Sequence, residues 1–201
     1  MPKAPSVPRP PSGGFEEPWI CFVSKQHLTD PNKPVSSRSA VELHAYANRT
    51  KVTDHTGKIH DFQRAKQNHV GSRMYFPEQS RHLEALEIWQ EADKAAALTG
   101  RPTEIISTHM LCRLPQADPD ICFEMIDGFA DQFLVPMGLV VEASFHDPVI
   151  SSKHVHFQIS KLPWSEDGVF TNAFYHATSQ QTRAGWRRGW VDALKAYANQ
   201  N

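Results

Sequence analysis

Residues 138–161, GLVVEASFHDPVISSKHVHFQISK, predict two adjacent β-strands and with them the fold. Apolar and β-branched residues dominate the stretch from Gly138 to His146 and recur from His154 to Lys161, which is typical of strands. Because only a short loop lies between the two predicted strands, they must pair as antiparallel neighbours in one sheet.

The second of these strands contains an H-x-H sequence, His154-Val155-His156. Side chains alternate between the two faces of a strand, so both imidazoles point to the same side. His146 ends the preceding strand, and a hairpin across residues 147–153 returns it close to His154. Three neutral imidazole nitrogens on one rigid face can hold a divalent ion and leave positions open for substrate. The alternative is solvent-facing histidines, because a chain with 11 histidines contains H-x-H pairs by chance.

Outside this stretch, hydrophobic periodicity and turn residues predict three more strands and about four helices. The strands are predicted at Trp19–Ser24, His69–Phe76 and Glu104–Leu114, and the helices at Ser39 to about Asn48, Arg81–Leu98, Pro119 to about Phe133 and Gln180–Ala198. This interleaved order predicts an α+β domain with a single five-stranded, mainly antiparallel sheet and helices covering one face. Residues 1–18, rich in Pro, Ser and Gly, are predicted to be a disordered tail before a domain spanning residues 19–201.

Length and composition restrict the class of protein. A chain of 201 residues with 40% hydrophobic and 21% charged residues suits one soluble domain with a full core. No apolar run approaches the ~20 residues that cross a bilayer, and the N-terminal residues do not resemble a secretory signal, so a cytoplasmic protein without membrane insertion is expected. Cys21, Cys112 and Cys122 lack metal-like spacing and are expected to be buried free thiols. The net charge of −1 argues mildly against nucleic acid but allows a local basic surface.

Tyr46 lies near the end of the first predicted helix, in the segment Arg38–Arg49 (RSAVELHAYANR). Ser39 and Glu42 have the spacing of a capping box, which indicates where this helix begins. Tyr46 shares a partly polar face with Glu42 and Arg49. A phenol beside a cation can attack phosphorus once it has ionised. The alternative is an amphipathic tyrosine at the edge of the core.

Together these segments resemble the relaxase domain of the MobA/MobL family, a branch of the HUH endonucleases, over nearly the whole chain from residue 19. The family helix with the pattern R-S-A-x-x-x-x-A-Y-R corresponds to the segment around Tyr46, and a turn containing T-G-K-x-H-D-[YF] corresponds to Asp54–Phe62 (DHTGKIHDF). A helix pattern W-x-x-[AV]-x-[KE]-A matches residues 89–95, and a strand ending in L-P matches residues 114–115. The signature strand pair, x-x-x-H-D followed by P-H-x-H-x-x-[IV], corresponds to SFHD and KHVHFQIS.

The resemblance implies that Tyr46 is the nucleophile and that His146, His154 and His156 hold a divalent metal ion, Mg²⁺ or Mn²⁺. It implies a metal-dependent endonuclease that nicks one DNA strand at an origin of transfer, through a 5′-phosphotyrosine link, during plasmid mobilisation or conjugation. The implied partners are single-stranded DNA, accessory relaxosome proteins and a type IV secretion coupling protein. The candidate phosphate contacts, each of which is otherwise a solvated surface charge, are Arg38, Arg49, Lys51, Lys58 and Arg73.

The chain departs from the family pattern beside the predicted site. The family strand before L-P usually carries glutamates, and His109 and Leu111 occupy those positions here. Glu104, Glu142 and Asp147 are candidate replacement acids, and the sequence does not rank them. These departures leave open a DNA-binding module that keeps the relaxase fold with weak or lost nicking. An HUH replication initiator and an unrelated histidine-metal hydrolase acting on small molecules are further alternatives.

Overall fold

The protein is described by a computed structural model that covers residues 17–26, 35–101, 104–149, 151–170 and 179–199. The predicted tail, residues 1–18, lies outside the described residues except for its last two. The strands are β1 (Trp19–Ser24), β2 (Val35–Ser37), β3 (Lys51–Thr53), β4 (Ile59–Asp61), β5 (His69–Tyr75), β6 (Ile105–Arg113), β7 (Val141–His146) and β8 (His154–Ser160). The α-helices are α1 (Ala40–Asn48), α2 (Ala85–Leu98), α3 (Pro119–Phe129) and α4 (Gln180–Ala198).

Six of the strands form one sheet in the order β2-β1-β6-β8-β7-β5, and β3 and β4 form a separate hairpin. Neighbours in the large sheet are antiparallel except β1 and β2, which run parallel. The expected α+β class and mainly antiparallel sheet are confirmed, and all five predicted strands are present. The sheet has six strands rather than five because β2 adds an edge strand of three residues, which is too short for its alternation to be recognised in the sequence.

The helices lie on both faces of the sheet, which differs from the expectation that they cover one face. The apolar face, which comprises residues 141, 143, 145, 155, 157 and 159, packs against α3 and α4. Helix α1 packs against the opposite face, called here the histidine face, and α2 packs against α1. The histidine face comprises residues 142, 144, 146, 154, 156 and 158. Gln158 and His146 donate hydrogen bonds to backbone carbonyls of α1, at Ala40 and Ala47. In the sequence, the polar residues of the histidine face resemble a solvent-facing surface. In the structure, α1 covers much of this face and hydrogen-bonds to several of these polar residues.

Two contacts fix the start of α1, the helix that contains Tyr46. The hydroxyl of Ser39 accepts a hydrogen bond from the N–H of Glu42 at 2.9 Å, so the predicted N-cap is confirmed. The buried carboxylate of Asp93, on α2, accepts from the N–H groups of Ala40 at 2.8 Å and Val41 at 3.2 Å. Burial raises the pKa of Asp93, against the lowering effect of these two bonds. The buried N–H groups at the start of α1, which have no acceptor within the helix, therefore have hydrogen-bond partners.

The remaining expectations concern helix ends, cysteines and membrane segments. The second helix begins at Ala85, four residues later than its predicted start. Cys21, Cys112 and Cys122 are buried free thiols, as expected. Among the described helices, none is long and apolar enough to cross a bilayer.

Candidate active site

The β7–β8 hairpin brings the three predicted histidines together at one end of the histidine face. His146 lies directly opposite His154 in the ladder, and His156 lies opposite Ser144. The ring centroids are 5.1 Å apart for His146 and His154, 4.6 Å for His146 and His156, and 5.1 Å for His154 and His156. One nitrogen of each ring lies within 4.8 Å of the other two. The hairpin predicted from the sequence therefore produces the cluster that it was expected to produce.

Burial keeps these histidines neutral. It lowers the pKa of His146 to about 3, against the opposing effect of the Ala47 carbonyl, which accepts a hydrogen bond from this ring. Burial also lowers the pKa of His154 and, much further, that of His156. Neutral imidazoles have a lone pair available for a cation, whereas imidazolium rings do not.

The cluster fits a divalent metal ion on two observations besides its residue types. Nε2 of His156 is buried and has no hydrogen-bond partner among the described residues, so no protein group that the structure describes competes for it. The Nε2–H of His146 donates to the Ala47 carbonyl, which leaves Nδ1 as the unprotonated nitrogen of that ring. The Arg49 guanidinium donates a hydrogen bond to the same Nδ1 at 3.4 Å, so a metal ion bound by His146 would have to replace this bond.

Tyr46 meets the histidine cluster from α1. Its ring is in edge contact with the ring of His156, with 5.5 Å between centroids and an angle of 90° between planes. Phe62 makes a similar contact at 5.6 Å on another side of the ring. The guanidinium of Arg49 lies over the ring, 4.3 Å from its centroid, in cation–π geometry. The structure thus brings together a phenol, a guanidinium and three imidazoles from residues about 100 positions apart.

The profile of the MobA/MobL family matches residues 38–200, which is most of the chain. The chain belongs to the MobA/MobL family. It is in general terms a relaxase of plasmid mobilisation. A solved structure described as "Molecular Basis of Vancomycin Resistance Transfer in Staphylococcus aureus" is similar to this MobA/MobL protein, with a TM-score of 0.75, 17% identity and 94% of each chain covered. At that identity the likeness supports the fold alone. No curated protein matches the sequence significantly.

This MobA/MobL protein also has a buried polar network that the sequence analysis did not identify. The carboxylate of Glu142 accepts hydrogen bonds from His44 Nδ1 at 2.9 Å, Asn48 Nδ2 at 2.8 Å and Trp89 Nε1 at 2.7 Å. Burial works to lower the pKa of His44, but the charge and hydrogen bond of Glu142 raise it above its ordinary value. The network ties α1 to β7 and thereby fixes the height of Tyr46 over the sheet. The i, i+4 spacing of His44 and Asn48 was the available signal, but their partner lies 98 residues from His44.

Of the three candidate acids, none is hydrogen-bonded to the histidine cluster among the described residues. Glu142 holds α1 as described, Glu104 pairs with Lys161, and Asp147 pairs with Lys153 at 3.1 Å. The two positions where the family usually has glutamates do border the cluster. Leu111 lies opposite His156 in the β6–β8 ladder, and the ring of His109 is hydrogen-bonded to the ring of His156. The two positions at which this chain departs from the family pattern therefore lie beside the cluster, and the residues there are apolar or neutral.

The four candidate phosphate contacts other than Arg49 separate into two groups. Arg38, Lys51 and Lys58 are exposed and flank α1, at its start, just after its end and in the β3–β4 turn. Arg73 is a correction, because it lies in register with Ala143 and so points to the apolar face. There it pairs with Asp127 and stacks on Phe123, both of α3. It is on the opposite side of the sheet from Tyr46, so the prediction that it contacts phosphate near the site does not fit the structure.

Proposed function

We propose that this protein nicks one strand of single-stranded DNA at an origin of transfer, with Tyr46 as the nucleophile. The observation that carries the proposal is the contact of the Tyr46 ring with His156, 5.5 Å between centroids, at the edge of the three-histidine cluster. A phenol beside a cluster that can bind a cation is suited to attack a phosphodiester, because the cation neutralises charge on the phosphate.

The reaction is a transesterification. The phenolic oxygen of Tyr46 attacks the phosphorus in line, the bond from phosphorus to the 3′ oxygen breaks, and a 5′-phosphotyrosine link forms. The phenolic proton passes to solvent, and the leaving 3′ oxygen takes up a proton to become a hydroxyl. One phosphodiester replaces another, so the reverse reaction can rejoin the strand. The Arg49 guanidinium, 4.3 Å from the ring centroid, stabilises the negative charge that develops on the phenol.

His146, His154 and His156 are the residues that would hold the divalent ion. Such an ion, Mg²⁺ or Mn²⁺, polarises the non-bridging oxygens of the scissile phosphate when it is bound. Three imidazole nitrogens suit a transition metal better than Mg²⁺, which prefers oxygen ligands and keeps its water. We therefore expect Mn²⁺ to support nicking at lower concentration than Mg²⁺.

The substrate strand is proposed to run along the exposed cations around α1. Arg49 faces the cluster, and the exposed side chains of Arg38, Lys51 and Lys58 are proposed to contact phosphates on the flanks. Lys51 also lies 3.9 Å from the Asp61 carboxylate, an exposed pair that a phosphate can replace. Arg73 is not included, because its guanidinium is engaged with Asp127. Accessory relaxosome proteins and a type IV secretion coupling protein are the expected further partners, and the cytoplasm is the expected place of action.

The decisive experiment incubates origin-type single strands with the protein and Mn²⁺ and separates the products on a denaturing gel. Wild type is expected to form a covalent protein–oligonucleotide band, and Tyr46→Phe is expected to form none while binding the strand as tightly. Tyr75→Phe is the matched control, because Tyr75 hydrogen-bonds to Asp127 and points to the apolar face. If Tyr46→Phe still cleaves at the wild-type rate, the assignment of the nucleophile is wrong.

A second candidate is a DNA-binding module of the same fold with weak or lost nicking. Two observations favour it: His109 and Leu111 stand where the family usually has glutamates, and Arg49 donates a hydrogen bond at 3.4 Å to the unprotonated nitrogen of His146. It predicts strand binding with no covalent band at any Mn²⁺ concentration. The family match favours mobilisation over replication initiation or small-molecule hydrolysis.

A further inference from the structure

His109 and His156 form a buried pair of imidazoles on adjacent strands. Their rings stack with 5.1 Å between centroids and 18° between planes, and His109 Nε2 lies 2.9 Å from His156 Nδ1. Both side chains are almost fully buried, and burial lowers the pKa of each. Two neutral imidazoles can share one hydrogen bond in either direction, and the direction decides which nitrogen of His156 is bare.

The surroundings of His156 select the direction. Its other nitrogen, Nε2, is buried with no hydrogen-bond partner among the described residues. If Nε2 carried the proton, a buried donor would have no acceptor, which is an expensive arrangement. The proton therefore belongs on Nδ1 of His156, which donates to Nε2 of His109.

The surroundings of His109 are consistent with that direction. When Nε2 of His109 accepts, its proton must lie on Nδ1, and the sulfur of Cys21 is 3.4 Å from that nitrogen. The thiol of Cys21 in turn donates to the carbonyl of His109 at 3.5 Å. Burial raises the pKa of Cys21 far above its ordinary value, against the lowering effect of Ser36, so the thiol keeps its proton to donate. Every proton in the series Cys21, His109 and His156 then has an acceptor.

We propose that His109 is a positioning residue that holds His156 in the tautomer with a bare Nε2, ready to bind a metal ion. The inference rests on the proposed function, because Nε2 of His156 would be a ligand in the proposed metal centre. A hydrogen-bond acceptor behind a ligating histidine fixes both its ring and its tautomer. An imidazole acceptor does this without adding a negative charge to the core beside the site.

The test uses the full chain and two readouts. In the metal-free protein, long-range ¹H–¹⁵N spectra of the histidine rings report which nitrogen of His156 carries the proton. Calorimetry then gives the Kd for Mn²⁺ alone. His109→Gln retains an acceptor, whereas His109→Leu removes it, and Met110→Leu is the control, since Met110 is equally buried on the same strand but belongs to the cluster under α3 and α4.

Wild type is expected to carry the His156 proton on Nδ1. His109→Leu is expected to show a mixture of tautomers and to bind Mn²⁺ about 10–100-fold more weakly. His109→Gln and Met110→Leu are expected to stay within about threefold of wild type, since a lost acceptor behind a ligand is what costs affinity.

Two outcomes overturn the proposal: a wild-type spectrum with the proton on Nε2 of His156, or a His109→Leu variant that binds Mn²⁺ as tightly as wild type. The wild-type spectrum decides even if His109→Leu does not fold. If wild type binds no Mn²⁺ but has the expected tautomer, the proposed metal-dependent nicking fails while the proton assignment to Nδ1 stands. The two failures are therefore distinguishable.

Discussion

At the scale of single residues, Arg49 combines a backbone role and a side-chain role. It ends α1 in the left-handed region with φ of 52°, which is strained for a residue with a side chain. Its guanidinium lies over Tyr46 and beside His146. Glycine in this conformation is unstrained, so an arginine at this position is best explained by what its side chain does at the site.

Arg49→Gly should therefore separate the two roles. The free energy of unfolding is expected to stay level or to rise by up to about 1 kcal/mol, because glycine relieves the backbone. The rate of covalent adduct formation is expected to fall on the order of 100-fold, because a preorganised positive charge is removed from the attacking group. Gln79→Gly is the control, because Gln79 has a similar φ of 65° away from the site and should leave the rate unchanged. An Arg49→Gly variant as active as wild type would remove Arg49 from the mechanism.

The buried histidines predict that the metal-free protein loses stability in mild acid. The pKa of His109 and that of His146 are each lowered to about 3, mainly by burial, from about 6.5 in an unfolded chain. Between these values the unfolded chain binds more protons, so their contribution is complete above pH 6.5 and is lost as the pH falls towards 3. Each group should cost about 2 kcal/mol at pH 5.0. The raised pKa values of His44 and Asp93 act in the opposite direction and reduce the net effect.

Urea unfolding in EDTA at pH 7.5 and pH 5.0 measures this loss. His109→Gln should reduce the difference between the two pH values by about 2 kcal/mol, because it removes one of the shifted groups. Met110→Leu, a buried substitution next to His109 that removes no ionisable group, should leave the difference as it is. A wild-type protein equally stable at both pH values would show that the buried rings take up protons without cost.

At the scale of elements, the start of α1 depends on a carboxylate from another helix. Asp93→Ala leaves the buried N–H groups of Ala40 and Val41 without an acceptor, so the free energy of unfolding should fall by about 2–3 kcal/mol. Glu91→Ala on the same helix removes an exposed ion pair with Lys94 and should change it by less than about 0.5 kcal/mol. Equal effects of the two substitutions in urea titrations would mean that α1 does not depend on this cap.

The elements also show what the sequence could and could not predict. Strands β7 and β8 were predictable because the alternation of residues 141–146 and 154–160 is strong, and their short connection fixed His146 opposite His154. The same alternation did not reveal that helices cover both faces of the sheet, because Glu142, Ser144 and Gln158 resemble a solvent-facing row. In the structure Glu142 is satisfied by His44, Asn48 and Trp89, contacts that span 53 to 98 residues and leave no local pattern.

At the scale of the whole molecule, the sheet separates two environments. The apolar face and its helices α3 and α4 form a core, whereas the histidine face and α1 form the site. Tyr46 could be predicted as a candidate from its helix, but its contact with His156 depends on α1 crossing the sheet, which no local signal in the sequence encodes. The net charge of −1 hides this division too, because the cations around α1 and Arg73 on the far side count equally in the sum.

This division predicts which cations contribute to the salt dependence of strand binding. For single strands, the logarithm of the binding constant falls with the logarithm of salt by about 0.7 for each phosphate contact. Arg38→Ala, Lys51→Ala and Lys58→Ala should each reduce the slope by about that amount, because each removes one proposed contact. Arg73→Ala is the matched control, since its guanidinium is held by Asp127 on the opposite side of the sheet and should not change the slope. Fluorescence anisotropy with a labelled strand at several salt concentrations gives all four slopes. If Arg73→Ala reduces the slope while Lys51→Ala and Lys58→Ala do not, the strand follows the apolar side of the molecule, and Tyr46 is not where the DNA is.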